Sequence, residues 1–182
     1  IFASFLFSAI IISLFTLNSF LEFEKKSPHI ARVKIDGPVF DDFSLNSLIY
    51  DLEINPDVKA VIIHINSPGG SVVGAESTFV AISELSKQKP SVSVLGETAT
   101  SGGYLIAVAT DHIISRANTI TGSIGVILQY PNLSKLLNNI GVDINTLRSS
   151  DLKASFNFFE KPTAKAIAEQ KRVIQETFSW FK

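Results

Sequence analysis

Two glycine-containing turns, each between a strand pattern and a helix pattern, constrain this chain most. The first turn, residues 66–72, follows the β-branched run at residues 59–65, which is typical of a strand buried on both faces of a sheet. The second turn, residues 97–104, lies between apolar runs at 90–95 and 105–109. Because strand and helix patterns alternate, we predict an α/β layered fold with a largely parallel central sheet.

The rest of the chain continues this alternation. Strand patterns occur at residues 30–35, 111–115, 119–128 and 143–147, and residues 122–125 interrupt the third of them. Helix patterns occur at residues 45–52, 73–85, 102–110 and 133–140, and a last helix follows Pro162 to the end of the chain. The whole region fits one domain, residues 30–182, with a sizeable core.

The first 21 residues differ from this domain, because residues 1–21 carry no charge and are rich in Ile, Leu and Phe. As a helix they would span about 32 Å, against a bilayer core of about 30 Å. A signal-peptide core is the alternative, but such cores run about 7–15 residues and precede a small-residue cleavage site. The run instead ends in Glu, Phe, Glu, Lys and Lys. We therefore predict an uncleaved transmembrane anchor at residues 1–21 and a linker at residues 22–29.

Composition excludes several classes of site. The net charge is −1 with scattered Lys and Arg, which gives no electrostatic reason for a nucleic-acid partner. The absence of cysteine excludes disulfides, thiolate zinc sites and a Cys nucleophile. His29, His64 and His112 lack ligand-like spacing, so we predict no metal site. The chain has no methionine, even at position 1, and we expect it to be a fragment or a processed form.

The second glycine turn offers a candidate nucleophile, Ser101. A strand that turns into a helix leaves the turn's side chain pointing outward beside the unpaired N–H groups of the first helical turn. Gly102 and Gly103 lack the Cβ that would keep a substrate carbonyl away from the backbone. Gly69 and Gly70 of the first turn form a second set of N–H donors, as acyl transfer requires for a developing oxyanion. The alternative role of Ser101 is that of a simple helix cap.

Three motifs in order carry a family resemblance: Ile-Asn-Ser-Pro-Gly-Gly-Ser-Val at 65–72, Thr-Ser-Gly-Gly-Tyr at 100–104 and Thr-Gly-Ser-Ile-Gly-Val at 121–126. From about Ile30 to the last residue the chain resembles the signal peptide peptidase A family of membrane-bound serine peptidases. The resemblance implies the ClpP/crotonase fold, no cofactor, and cleavage of residual signal peptides in or near the bilayer. It also implies an anchor in the cell inner membrane with the catalytic domain on the periplasmic side, and a domain that continues beyond residue 182.

The same resemblance implies a Ser–Lys dyad, in which the lysine lies in a Ser-Gly-x-x-Lys loop. Residues 149–153 match this loop, so Lys153 inherits the role of general base, with Lys161 and Lys165 as alternatives. The chain departs from the pattern at Ser150, where the family has Gly, and at Ala154, where it usually has Asp.

Other site roles follow from the resemblance as well. It assigns Ser123 to orienting the amine. The two glycine turns themselves predict Gly69, Gly70 and Gly102 as the oxyanion and substrate-binding residues.

A general base must be uncharged, so the pKa of Lys153 has to fall from about 10.4 to about 7–8. Burial against Phe156, Phe158 and Phe159, which are close in sequence, would lower it. The carboxylate of Asp151 would oppose that shift, and we predict that it points away.

In some family members a neighbouring subunit or repeat contributes the lysine, and this chain holds one copy of each motif. The resemblance therefore suggests a homo-oligomeric ring with composite active sites.

Three other functions remain open. A Ser–His enzyme would use His112, which a ten-residue helix would place about 15 Å from Ser101. A crotonase-type acyl-CoA enzyme would need carboxylates in its pocket and no membrane span. A catalytically inactive relative would act as a membrane scaffold.

Overall fold

The computed structural model describes residues 27–182, which form five strands and five helices. In chain order these are β1 (His29–Asp36), α1 (Phe43–Ile54), β2 (Val58–Ser67), α2 (Val72–Gln88), β3 (Ser91–Thr100), α3 (Gly102–Ala107), β4 (His112–Ile114), β5 (Ile120–Gly122), α4 (Ser134–Asn139) and α5 (Ala164–Phe181).

The five strands form one parallel sheet. The strand order is β1-β2-β3-β4. The fifth strand, β5, also pairs with β3, nearer to the carboxyl end of β3 than β4 does. Strand β3 pairs with β4 through Val92–Val94 and with β5 through Thr98–Thr100, so both short strands lie along the same edge of β3. The predicted α/β fold with a parallel central sheet is confirmed.

Helices cover one face of this sheet. The connections β1-α1-β2 and β2-α2-β3 progress in one direction, and right-handed crossovers then place α1 and α2 on the same side. Val61, Ile63 and Ile65 of β2 are buried beneath them, whereas Ile62 and His64 point to the other face and are half-buried. The prediction that β2 is buried on both faces is therefore wrong for the described part of the chain.

The core lies between this face and the helices. Its fully buried large side chains come from α1, α2, α3 and β2: Ile49, Ile82, Leu85, Ile106, Ile63 and Ile65. Each such side chain contributes about 1.5–3 kcal/mol relative to an exposed one. Leu95 and Ala99 of β3 belong to the same core. The core therefore fixes β2 and β3, and the two glycine turns follow the carboxyl ends of these strands.

The elements around the second turn differ from the predicted ones. Strand β3 continues to Thr100 rather than ending at Leu95, because the Asn66 Oδ1 accepts hydrogen bonds from the N–H groups of Glu97 (3.0 Å) and Thr98 (3.2 Å). Helix α3 ends at Ala107 rather than Thr110. After Ala107 the backbone hydrogen bond of the Thr110 N–H joins residues three apart instead of four apart. The Thr110 hydroxyl also donates to the Ala107 carbonyl at 3.0 Å.

The strands predicted at 119–128 and 143–147 differ from the observed structure. Within residues 119–128 only β5 is a strand. The strand predicted at 143–147 is wrong, because no described strand lies beside it to accept its backbone hydrogen bonds. Its Ile144 and Leu147 side chains are exposed.

The predicted anchor, residues 1–21, lies outside the described residues. Among residues 27–182, no helix combines the length and the apolar character that a bilayer crossing requires.

Candidate active site

Ser101 occupies a sharp turn between β3 and α3. Its φ of 52° and ψ of −122° lie where a residue with a side chain is rarely found. The Ser101 N–H donates to the Gly122 carbonyl at 2.8 Å, and its own carbonyl accepts from the N–H groups of Tyr104 and Leu105, each at 3.0 Å. The hydroxyl makes no hydrogen bond with any described residue. Such a conformation costs about 1–3 kcal/mol and is typical of a nucleophile presented on a strand-to-helix turn.

The first glycine turn lies against Ser101. A Cβ added to Gly69 would lie 2.8 Å from the Ser101 Cβ and 2.9 Å from the Gly102 nitrogen. Gly69 also has a φ of +96°, so both the space and the backbone conformation require glycine. The two turns that the sequence singled out are therefore in direct contact.

Two backbone N–H groups beside Ser101 are free among the described residues. The Gly69 N–H is not one of them, because it donates to the Ser67 Oγ at 3.1 Å. The N–H groups of Gly70 and Gly102 make no hydrogen bond within residues 27–182, and Gly102 is the first residue of α3. A Cβ on Gly102 would lie 3.6 Å from the Gly70 nitrogen, so the two donors are neighbours. Paired free donors next to a free hydroxyl can stabilise an oxyanion.

A cavity of about 100 Å³ opens beside these groups. Ser101, Gly70 and Gly102 line one side of it. Its other walls are mostly apolar: Val72, Ala75, Leu105, Val126, Ile127, Trp180 and Phe181. None of the described residues that line the cavity carries an ionisable side chain. The cavity thus presents a hydroxyl and two N–H donors in an apolar setting, and none of its lining residues within 27–182 can act as a base.

The predicted base lies outside this cavity. Lys153 is exposed on a tight turn, in which its N–H donates to the Ser150 carbonyl at 3.1 Å. Lys161 and Lys165 are also exposed and do not line the cavity. Within the described chain no ion pair joins Lys153 to Asp151.

Ser123 is closer to Ser101 along the chain than Lys153 is. It is exposed, has a φ of 50°, and directly follows Gly122, the residue whose carbonyl accepts the Ser101 N–H. The structure therefore brings Ser101, Gly69, Gly70 and Gly102 together, places Ser123 next to a direct contact of Ser101, and leaves Lys153 apart in the single chain.

His112 is far from Ser101. It pairs with Val92 near the amino end of β3, whereas Ser101 follows Thr100 at the carboxyl end. The intervening residues of β3 cover about 26 Å at 3.3 Å per residue. A pair of Ser101 with His112 within one chain is therefore excluded.

Two residues that shape the site were not singled out from the sequence. Ser67 is fully buried, accepts the Gly69 N–H, and its carbonyl lies 2.9 Å from where a Cβ of Gly103 would be. Asn66 holds the end of β3 through its side-chain carbonyl. Their place at the start of the first glycine turn was the available signal, but the partners of Asn66 lie about 30 residues away in sequence.

The sequence is similar to those of several known proteases. Protease 4 of Haemophilus influenzae is 33% identical over 150 residues, which are 77% of this chain and 24% of that protein. The chloroplastic serine protease SPPA of Arabidopsis thaliana is 34% identical over 111 residues, 61% of this chain and 16% of that protein. The chain spans less than half of the length of these relatives.

Similarity to solved structures is weaker. A membrane-bound stomatin-specific protease aligns over 63% of this chain and 59% of its own, with 17% identity and a TM-score of 0.49. The sequence profile of peptidase family S49, in contrast, matches residues 83–182, which include Ser101, Ser123 and Lys153. Because this match covers more than half of the chain, the chain belongs to peptidase family S49.

Proposed function

We propose that this chain is the catalytic part of a serine endopeptidase of the signal peptide peptidase A type, with Ser101 as nucleophile and Lys153 as general base, in a ClpP/crotonase-like fold. The observation that carries the proposal is the strained Ser101 turn, where the hydroxyl of Ser101 and the N–H groups of Gly70 and Gly102 lie together and make no hydrogen bond within residues 27–182. Membership of a peptidase family supports the same reaction.

In the proposed reaction the Ser101 Oγ attacks the scissile carbonyl carbon, and its proton passes to the neutral amine of Lys153. The carbonyl oxygen becomes an oxyanion, which the N–H groups of Gly70 and Gly102 stabilise. The C–N bond then breaks, and the Lys153 ammonium returns its proton to the leaving amine. Water hydrolyses the acyl-enzyme ester with the same amine as base, which restores the serine. Ser123 orients that amine.

The lysine is proposed to come from a neighbouring copy of the chain in a homo-oligomer. Two observations support a composite site. The cavity beside Ser101 has no ionisable side chain among its described lining residues. Large apolar side chains at 124–147 are also exposed in the single chain, among them Ile127, Ile140 and Leu147. Contact with another copy would cover such residues.

The proposed substrates are residual signal peptides and other membrane-associated peptides. The apolar walls of the cavity fit small or apolar substrate side chains. An anchor formed by the uncharged residues 1–21 would hold the enzyme in the inner membrane, with its catalytic domain on the periplasmic side.

The direct test is hydrolysis of a fluorogenic peptide with apolar residues before the scissile bond. We expect Ser101→Ala to lower kcat by about three orders of magnitude or more, since the nucleophile is lost. Ser115→Ala, at an exposed serine just after β4, is the matched control and should retain full activity. Activity that persists in Ser101→Ala would contradict the proposal.

A further inference from the structure

A polar network spans the base of the loop that carries Lys153. Arg148, just before the loop, forms an ion pair with Glu160, just after it, and its Nη1 donates to the Glu160 Oε2 at 3.2 Å. The Arg148 side chain is only 20% exposed. An arginine this buried with a carboxylate partner is not an ordinary solvated surface charge. The pair therefore ties the two ends of the loop together.

Asn157 connects this pair to the backbone beside Lys153. Its Nδ2 donates to the Glu160 Oε1 at 2.7 Å and to the Ala154 carbonyl at 2.9 Å. Its Oδ1 accepts from the N–H groups of Phe159 (2.8 Å) and Glu160 (3.2 Å). One amide side chain thus links the ion pair to the residue that follows the predicted base.

The residue that Asn157 holds is in an unfavourable conformation. Ala154 has a φ of 51°, in the left-handed region that alanine rarely adopts. Such a residue keeps its conformation only where surrounding contacts enforce it. On the amino-terminal side of the Lys153 side chain, the Lys153 N–H donates to the Ser150 carbonyl at 3.1 Å. Hydrogen bonds therefore fix the backbone on both sides of Lys153.

The loop is also attached to the segment that leads away from the cavity. The Leu133 N–H donates to the Phe158 carbonyl at 2.7 Å, and the Asn132 Nδ2 donates to the Glu160 carbonyl at 2.8 Å. The Tyr130 and Phe156 rings pack edge to face with centroids 4.9 Å apart. Because residues 125–127 line the cavity, the loop is attached to a segment that begins at the cavity wall.

We propose that Asn157, supported by the Arg148–Glu160 ion pair, is a positioning residue that holds the backbone at Ala154 and thereby fixes where the Lys153 amine is presented. The inference rests on the proposed function, in which Lys153 is the base. It adds three residues that contact neither substrate nor nucleophile in the single chain but determine the geometry of the base. Positioning of this kind matters because a displacement of about 1 Å can cost about 100-fold in rate.

The test is Asn157→Asp in the intact protein. The new side chain keeps an oxygen for the N–H groups of Phe159 and Glu160, but it cannot donate to the Ala154 carbonyl and it repels the Glu160 carboxylate. Asn118→Asp is the matched control, because Asn118 is exposed, its side chain makes no hydrogen bond within residues 27–182, it lies outside the apolar segment 124–147, and it receives the same change of charge. Peptide hydrolysis and thermal unfolding are measured for both variants from about pH 6 to about pH 10, a range that brackets the pKa required of the base.

We expect Asn157→Asp to lower kcat by about 10-fold to 100-fold at every pH, including the plateau that kcat reaches at high pH. KM should stay within about twofold of the wild-type value, because the base is displaced but substrate binding is unchanged. The midpoint of thermal unfolding should stay within about 5 °C of that of Asn118→Asp, since about one hydrogen bond is lost, and Asn118→Asp should retain full activity. A second variant, Glu160→Gln, keeps the shape of the side chain but removes the charge that pairs with Arg148, and should lower kcat in the same way but less.

Two results would overturn the inference. One is a plateau of kcat in Asn157→Asp equal to that of the control. The other is a plateau that is only reached at higher pH, since that would mean that the new carboxylate raises the pKa of the base without moving it. Ser101→Ala separates this failure from failure of the proposed function. If Ser101→Ala is inactive and Asn157→Asp is unaffected, the nucleophile stands and the positioning role is wrong.

Discussion

The α-carbon of Gly69 lies directly against Ser101, so that a methyl group at position 69 would come within 2.8 Å of the Ser101 Cβ. The contact joins two turns that are separated by about 30 residues in sequence but follow neighbouring parallel strands. Since the carboxyl ends of parallel strands meet at one edge of the sheet, Ser101 lies beside the N–H groups of Gly70 and Gly102, which make no hydrogen bond within residues 27–182.

Gly69→Ala should therefore damage both folding and catalysis. The added methyl group overlaps Ser101 and the Gly102 nitrogen, and φ of +96° disfavours alanine. Together these effects should lower the free energy of unfolding by about 2–4 kcal/mol. Gly37→Ala is the matched control, because Gly37 also has a positive φ, +73°, but no atom lies within 4 Å of the added Cβ.

For Gly37→Ala we expect a loss of about 1 kcal/mol from backbone strain alone, with activity retained. Urea unfolding followed by circular dichroism measures both variants. Equal losses of stability in the two variants would show that the Gly69–Ser101 contact contributes nothing specific.

Mixed assemblies test whether Lys153 acts across a subunit boundary. Ser101→Ala and Lys153→Ala chains should each be inactive alone. Co-assembled in equal amounts, they should recover about a quarter of the wild-type activity, because random assortment in a ring gives that share of sites both wild-type residues. Recovery is measured on mixed oligomers isolated with two different tags. If such oligomers stay inactive, both residues act within one chain.

Acid should weaken the attachment between β3 and the α3–β4 connection. The Ser91 N–H (2.8 Å) and then the Ser91 hydroxyl (3.0 Å) donate to the Asp111 carboxylate, which lowers the pKa of Asp111 below its ordinary value of 3.8. The folded state therefore binds this proton less readily than the unfolded state. The resulting stability is fully present above the unfolded pKa and is lost as the pH falls through the folded pKa.

Asp111→Asn should accordingly unfold at a lower temperature than the wild type near neutral pH, and the difference should shrink as the pH falls below 3.8. Thermal unfolding across this range measures the effect. Asp143→Asn, at an exposed carboxylate without a hydrogen bond in the described chain, should leave the pH dependence unchanged. A difference between Asp111→Asn and wild type that is constant with pH would refute this role for Asp111.

Local sequence patterns were sufficient to predict the parallel sheet and the Ser101 turn. The β-branched run of β2 and the glycines after it fix a strand and a tight turn through properties of the residues themselves. The end of β3 could not be predicted in this way, because it depends on the side chain of Asn66 from another strand. The strand predicted at 143–147 failed because a strand also needs a neighbour, which alternation in sequence does not supply.

Within the site, residue types predicted which turns would form it, but not which glycine would supply each N–H donor. Both Gly69 and Gly70 were expected to serve the oxyanion. Only the hydrogen bond from the Gly69 N–H to Ser67 shows that Gly70 is the one with a free donor. The network of Arg148, Asn157 and Glu160 left no sequence signal, because it depends on how a loop of irregular structure folds back on itself.

Covalent labelling tests the central claim most directly. A serine-directed fluorophosphonate is incubated with the folded, assembled protein, and the modified residue is located by peptide mass spectrometry. We predict one adduct on Ser101, absent in Ser101→Ala and formed at least about 100-fold more slowly in Lys153→Ala, because the hydroxyl then lacks its base. An adduct on a different serine, or no adduct on Ser101 in the folded assembly, would contradict its assignment as the nucleophile.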